Sequence, residues 1–114
     1  MHELAICQDI IAQVEQIAAQ HRAVAVHRIQ LDIGPLSGVE APLLEAAFPI
    51  ACAGSVAENA ELKIEISPIV VSCRSCNEKT AASANDLTCK KCGNWHTDLV
   101  SGDEMILKRV ELDT

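Results

Sequence analysis

Six cysteines occur in the 114-residue chain, and four of them form two Cys-x-x-Cys pairs. Cys73 and Cys76 form the first pair, and Cys89 and Cys92 form the second after twelve intervening residues. The two-residue gap lets both thiolates of a pair reach one ion, and two such pairs provide the tetrahedral sulfur set of a structural zinc site. Gly93 gives the second turn backbone freedom. The spacing therefore predicts a four-cysteine zinc site.

Two other interpretations of the four cysteines stay open on the residues alone. Two disulfides are disfavoured in a cytoplasmic protein, whereas a rubredoxin-like iron site uses the same ligands and is not separated by spacing. The segment between the pairs is polar and poor in large aliphatic residues. Metal binding would therefore supply its folding energy. Cys7 and Cys52 lie on apolar helix faces, and we expect them to be core thiols.

The first three residues form a second stretch with metal-binding chemistry. A bulky residue such as His2 generally blocks removal of the initiator methionine, so the free amine is expected on Met1. This amine, the His2 amide nitrogen and the His2 imidazole would close adjoining chelate rings on one ion, and the Glu3 amide or carboxylate is within reach of a fourth position. Square-planar nitrogen donors suit Ni(II) or Cu(II). Because binding displaces protons, affinity should fall as the pH drops.

Composition narrows the function classes. The formal net charge is −7, which argues against nucleic-acid binding because that binding requires Lys and Arg to neutralise phosphates. The first twenty residues contain three acidic residues and neither Lys nor Arg, unlike a secretory signal. No apolar run approaches the length of a membrane-spanning helix. We therefore expect a cytoplasmic protein, with no membrane association, that binds proteins or cations.

Hydrophobic spacing predicts the elements that position these residues. A helix is expected from Leu4 to Ala19, and a strand from Val24 to Ile33. One face of that strand should carry Ala25, His27, Ile29, Leu31 and Ile33. "SGVE" at 37–40 matches a capping box before a second helix that runs to about residue 52.

Two proline positions and two further strands complete the prediction. Pro42 suits the first turn of the second helix, whereas Pro49 should kink or shorten its end. "ELKIEISPIVVS" and "EMILKRVEL" each alternate as a strand. The expected fold class is α+β: two helices and a three-stranded sheet, with an inserted zinc-ribbon-like domain that carries the four paired cysteines.

Four blocks, in this order, resemble one known family. They are "MHELAICQDII", "GPLSGVEAPLLEAAF", the paired Cys-x-x-Cys insert and "SGDEMILKRVEL". Together they cover essentially the whole chain and resemble the HypA/HybF family of hydrogenase maturation nickel metallochaperones. The resemblance implies a discontinuous nickel-binding domain, 1–72 and 98–114, and a zinc-binding domain, 73–97. It also implies that Met1, His2 and Glu3 hold Ni(II) as transient cargo, and that the four paired cysteines hold structural Zn(II).

The resemblance further implies partners rather than a catalysed reaction. The family delivers nickel to the precursor of the [NiFe] hydrogenase large subunit together with the GTPase HypB, and in some bacteria it also serves urease, which would add urease accessory proteins as partners. The chain is thus expected not to be an enzyme, and to be a monomer or weak homodimer. The alternatives are a zinc-ribbon adaptor that binds protein or nucleic acid without nickel, and a rubredoxin-like electron carrier.

Four other residues have competing interpretations. Some family members bring an acidic side chain from the start of the second helix near nickel, and Glu40 lies in that region, although the capping box explains it without nickel. His96 could ligate nickel, hydrogen-bond a zinc thiolate or lie in a solvated loop. We interpret His21 as a helix-end residue and His27 as a strand residue, with metal binding as the alternative for both.

Overall fold

The computed structural model describes residues 3–114, so the predictions made for Met1 and His2 lie outside the described residues. The elements follow in the order α1 (Glu3–Gln20), β1 (Ala25–Ile33), α2 (Ala41–Cys52), β2 (Glu61–Ile66), β3 (Val70–Cys73), β4 (Lys79–Ala81), β5 (Thr97–Ser101) and β6 (Met105–Asp113). The strands form two three-stranded sheets, in the orders β2-β1-β6 and β4-β3-β5. The predicted α+β class, with two helices and a three-stranded sheet, is confirmed.

Backbone contacts divide the chain into two compact units. The helical unit comprises the residues up to Leu31, Val39–Glu65 and Ile106–Thr114, and the cysteine unit comprises Asp32–Gly38 and Ile66–Met105. The domain bounds 73–97 expected from the sequence stay a prediction. The cysteine unit includes a longer stretch of chain because β3 and β5, which flank the cysteine pairs, belong to its own sheet.

The core of the helical unit is aliphatic, as the shortage of aromatic residues indicates. The buried side chains are Cys7, Ile10, Ile11, Val14 and Ala18 of α1, Leu44, Phe48 and Cys52 of α2, and Val26, Ile29 and Leu31 of β1. Cys7 Sγ lies 3.5 Å from the Leu44 carbonyl oxygen, to which the thiol donates. Burial raises the pKa of Cys7, and it raises the pKa of Cys52 to about 11. Both are therefore core thiols, as predicted.

The predicted capping box is wrong. The N-cap of α2 is Glu40, without a side-chain capping bond, and Ser37 lies in a turn where its amide donates to the Gly34 carbonyl. Gly38, with a φ of +80°, separates that turn from the helix. A helix that began after Ser37 would place Pro42 beyond the first turn, where its missing N–H interrupts the helical hydrogen bonds. The helix continues three residues past Pro49 and ends at Cys52.

His27 lies in β1, as predicted, and is exposed 3.8 Å from the Asp113 carboxylate. Val26 is buried, and its amide donates to the Val56 carbonyl. One detail of the strand prediction is wrong. "ELKIEISPIVVS" forms two strands in different sheets rather than one. Pro68 lies between them and cannot donate a ladder hydrogen bond, so the pairing ends there.

The cysteine unit contains a tight crossing of two backbones. Gly34 donates its amide to the Glu104 carbonyl, and the Leu36 amide donates to the Gly102 carbonyl. A Cβ built on Gly34 would lie 2.1 Å from the Gly102 carbonyl oxygen. Only glycine fits there. Among residues 3–114, no helix is long and apolar enough to cross a membrane.

Candidate metal centre

The four paired cysteines converge on one point in the cysteine unit. Their Sγ atoms all lie within 4.8 Å of one another. Two of the separations are 3.5 Å, between Cys73 and Cys92, and 3.7 Å, between Cys76 and Cys89. A tetrahedron with Zn–S bonds of about 2.3 Å has edges of about 3.8 Å, so these two separations match those of a zinc site. All six cysteines are unpaired, so the disulfide interpretation is wrong.

The two cysteine pairs use the same backbone turn. In the first, the Asn77 amide donates to the Cys73 carbonyl and the Cys73 amide donates to the Glu78 carbonyl; in the second, the Gly93 amide donates to the Cys89 carbonyl and the Cys89 amide donates to the Asn94 carbonyl. The residue after each second cysteine is left-handed, with a φ of +60° at Asn77 and +77° at Gly93. Each turn thus presents two thiols from a fixed backbone.

Sequence reasoning assigned this role to Gly93 alone and missed Asn77. The left-handed region costs an ordinary residue about 1–2 kcal/mol, but Asn tolerates it best after Gly. An Asn placed directly after the second cysteine of the first pair was the signal that could have been used.

Two of the thiols are poised to ionise. The backbone amide of Cys92, with other amides and thiols around it, lowers the pKa of Cys89 to about 6. The amide of Cys76 likewise lowers the pKa of Cys73. The Ser75 amide, which lies 3.3 Å from the Cys73 sulfur, adds to this effect. Both side chains are buried, and a thiolate is the form that binds metal.

The other two thiols retain their protons longer. The Asn94 amide lowers the pKa of Cys92, but its hydrogen bond with Cys73, together with burial, outweighs this effect and raises that pKa to about 11. For Cys76 the Glu78 amide is likewise outweighed by burial and by neighbouring thiols, so its pKa is raised. Four thiolates in so small a volume require a cation, and a divalent ion relieves their repulsion.

Ion pairs link the chain segments around the four cysteines. Arg74 binds the Asp98 carboxylate with two nitrogens, at 2.6 Å and 3.1 Å, and thereby joins the first cysteine turn to β5. Lys91 in the second turn lies 3.1 Å from Glu78 after the first turn. These pairs are exposed to solvent, so they contribute little to stability. They also occupy positive charges that would otherwise favour a nucleic-acid surface.

The remaining predicted site residues lie in separate surroundings. Glu3 begins α1 and is buried, a position where the helix dipole favours a carboxylate. His96 is exposed, stacks on Trp95 at 3.7 Å and has Nδ1 3.3 Å from the Asn94 side-chain oxygen. His21 is at the C-terminal end of α1, with Nδ1 2.9 Å from the Ile17 carbonyl oxygen. Among residues 3–114, the four cysteines form the only cluster of three or more candidate metal ligands.

Comparison with known proteins decides the family. The sequence profile described as "Hydrogenase/urease nickel incorporation, metallochaperone, hypA" matches residues 1–112. The chain belongs to the HypA family. It is 50% identical over 114 residues to the hydrogenase maturation factor HypA of Nitrosospira multiformis, covering 100% of this chain and 99% of that protein. It is 38% identical to the HypA of Aquifex aeolicus, covering 99% of this chain and 98% of that protein.

Solved HypA structures share the fold. The solution structure of the Ni metallochaperone HypA from Helicobacter pylori superposes with a TM-score of 0.71 at 28% identity, covering 99% of this chain and 98% of that one. The resemblance to the HypA family is therefore confirmed, and with it the function of a hydrogenase maturation metallochaperone rather than an enzyme. The expected cofactors agree with these findings. The HypA family is described by nickel incorporation, and the four-cysteine group suits a structural zinc site.

Proposed function

We propose that this HypA chain carries Ni(II) on its first three residues and delivers it to the precursor of the [NiFe] hydrogenase large subunit, in the cytoplasm and together with the GTPase HypB. The ligands are the Met1 amine, the His2 amide and imidazole nitrogens, and a Glu3 amide or carboxylate donor. The observation that carries the proposal is the family match over residues 1–112, which includes this segment.

The placement of Glu3 supports this ligand set. Glu3 begins α1 and is buried, so its backbone is held by the helix while residues 1 and 2 precede it. A site made from a terminal amine and backbone nitrogens has few side-chain ligands. Such an open site can release its cargo, which a closed cage of protein ligands would trap. Urease is a second destination that the family description names, and we propose it for this chain only in cells that contain that enzyme.

In this proposal zinc has a structural role at Cys73, Cys76, Cys89 and Cys92. The four thiols fit its tetrahedron, and its binding energy is folding energy for the turns that carry them. A closed site with four protein ligands leaves no open position for substrate, so it serves no catalytic purpose. The same ligands also suit iron, which would colour the purified protein, so metal analysis and an absorption spectrum distinguish the two ions.

A nickel titration tests the terminal site. Zinc-loaded protein with its native terminus should bind Ni(II), whereas the same chain with two residues added before Met1 should lose that binding and keep one zinc. His2→Ala should also abolish nickel binding. The matched control is His27→Ala, because His27 is an exposed histidine of the helical unit that faces Asp113. Equal nickel binding by native and extended chains would refute the terminal chelate and favour the zinc-ribbon adaptor.

Glu40 and His96 are tested in the same titration. The capping bond that offered Glu40 a purely structural role is not formed. If Glu40→Gln or His96→Ala weakens nickel binding while zinc stays at one per chain, that residue is an additional nickel ligand. If affinity is unchanged, the three terminal residues suffice.

A further inference from the structure

The second helix is apolar at every position but one. Its only charged side chain between Ala41 and Cys52 is Glu45. One side, formed by Leu44, Phe48 and Cys52, is buried in the core of the helical unit. Helices that are hydrophobic all round are normally buried all round. The apolar residues on the opposite side of α2 therefore need a separate explanation.

Those residues form one continuous stripe. We call Leu43, Ala46, Ala47 and Ile50 the outer face of α2, because positions spaced by three and four residues lie together along one side of a helix. Leu43 is 49% exposed and Ile50 is 68% exposed. Single exposed apolar residues are ordinary, whereas a contiguous apolar patch marks an interaction site.

The charged residues of the two helices and of the turn after α2 all have the same sign. The segments 3–20 and 40–60, which include both helices, contain neither Lys nor Arg. They contain six carboxylates, namely Glu3, Asp9, Glu15, Glu40, Glu45 and Glu58. A two-fold dimer through this surface would bring two acidic layers together, since both subunits use the same patch. A partner with an apolar patch rimmed by Lys and Arg is complementary in both respects.

The outer face of α2 begins near the start of α1. The Cys7 thiol, one turn after Glu3, donates to the Leu44 carbonyl at 3.5 Å. The first turns of α1 and α2 therefore lie side by side, and the outer face starts at Leu43, directly before that contact. Leu4, which follows Glu3, is also partly exposed at this end of the helical unit.

We propose that the outer face of α2 is the docking surface for the hydrogenase large-subunit precursor, which contributes an apolar patch rimmed by basic residues. This inference rests on the proposed function, because a protein seated there meets the end of the helical unit at which the nickel-carrying residues enter α1. Docking by an apolar stripe places the recipient beside the cargo without using any nickel ligand for affinity.

The test is a binding measurement with the full zinc-loaded chain and the isolated large-subunit precursor as the probe. Leu43→Glu together with Ile50→Glu should raise the dissociation constant at least tenfold, because two buried charges would face an apolar patch. The matched control is Val24→Glu, because Val24 is a 74% exposed apolar residue of the same unit outside the outer face. It should leave binding unchanged. Glu45→Lys should slow association and flatten its salt dependence.

Several outcomes overturn the proposal. Unchanged affinity of the double variant does so, and so does failure of the native chain to bind the precursor. A native dimer that the double variant dissociates would show instead that a second copy covers the face. If the double variant misfolds, Leu43→Gln with Ile50→Gln replaces it. Nickel titration of the same proteins separates the proposals: docking without nickel binding refutes the terminal nickel site, whereas nickel binding without docking refutes only the docking surface.

Discussion

Substituting Gly34 by alanine tests the backbone crossing in the cysteine unit. An added Cβ would lie 2.1 Å from the Gly102 carbonyl oxygen, 2.2 Å from the carbonyl carbon and 2.7 Å from the Asp103 nitrogen. All three atoms belong to backbone, so no side chain can move aside. One of the two chain segments must shift by about 1 Å.

The cost has two parts. Overpacking against a fixed backbone costs about 1–3 kcal/mol. A shift of this size also weakens the hydrogen bonds from Gly34 to Glu104 and from Leu36 to Gly102, at about 1 kcal/mol each. We therefore expect Gly34→Ala to lower the free energy of unfolding by about 3–5 kcal/mol. The free energy of unfolding of a small protein is roughly 5–15 kcal/mol, so this loss would be a large share of it.

Gly38→Ala is the control, because it separates steric overlap from backbone conformation. Gly38 has a φ of +80° and nothing within 4 Å of an added Cβ, so only the conformational cost of about 1 kcal/mol applies. Urea unfolding of the zinc-loaded variants, followed by circular dichroism, measures both. If the two variants lose stability equally, within about 0.5 kcal/mol, the close approach of Gly34 to Gly102 is not present in solution.

Three more predictions concern the four-cysteine site. Asn77→Ala should weaken zinc binding about tenfold, because alanine strains the left-handed turn, whereas Asn77→Gly should leave zinc binding unchanged. Competition with a chelator measures the zinc affinity of both variants. Zinc binding should release more protons at pH 5 than at pH 7, because Cys89, with a pKa of about 6, is mostly protonated at pH 5 and mostly a thiolate at pH 7. Calorimetry in several buffers counts the released protons. A thiol reagent should label four cysteines after zinc removal but reach Cys7 and Cys52 only on unfolding.

Each of these three has a contrary result. Equal chelator competition by the two Asn77 variants would show that the first turn is not held left-handed in the zinc-loaded protein. A proton count that does not change between pH 5 and pH 7 would contradict the low pKa of Cys89. Labelling of all six cysteines at one rate after zinc removal would show that the helical unit does not keep its core without the metal.

The sequence predicted the parts of the fold that depend on strong local patterns. The apolar period of α1, the alternation that ends β1 at Ile33, and the paired cysteines each identify one structure, and all three predictions agree with the described residues. The four cysteines were predictable because ligand spacing is a local property of the chain. Their convergence needed only that the chain return to one point.

The errors arose where tertiary contacts decide. Ser37 and Glu40 fit a capping box by spacing, but Gly38 and Pro42 set where the helix can begin. The short strands β4 and β5 were missed because polar sequence gives no alternating signal, and β3 organises them by pairing on both sides. The outer face of α2 was not recognised either, since only the packed structure shows which side of an apolar helix stays exposed.

The sheet order β2-β1-β6 has a consequence for how the chain is made. β6 pairs beside β1, yet it is the last strand of the described chain, and the whole four-cysteine segment lies between β2 and β6. During synthesis the sheet therefore stays two-stranded until that segment has left the ribosome. An ion that gathers Cys73 to Cys92 into a compact body shortens the loop that β6 must close, and loop length sets the entropic cost of closure. Because halving a loop lowers its closure cost by only about 0.6 kcal/mol, zinc is expected to speed completion of the sheet in newly made chains by a few-fold at most.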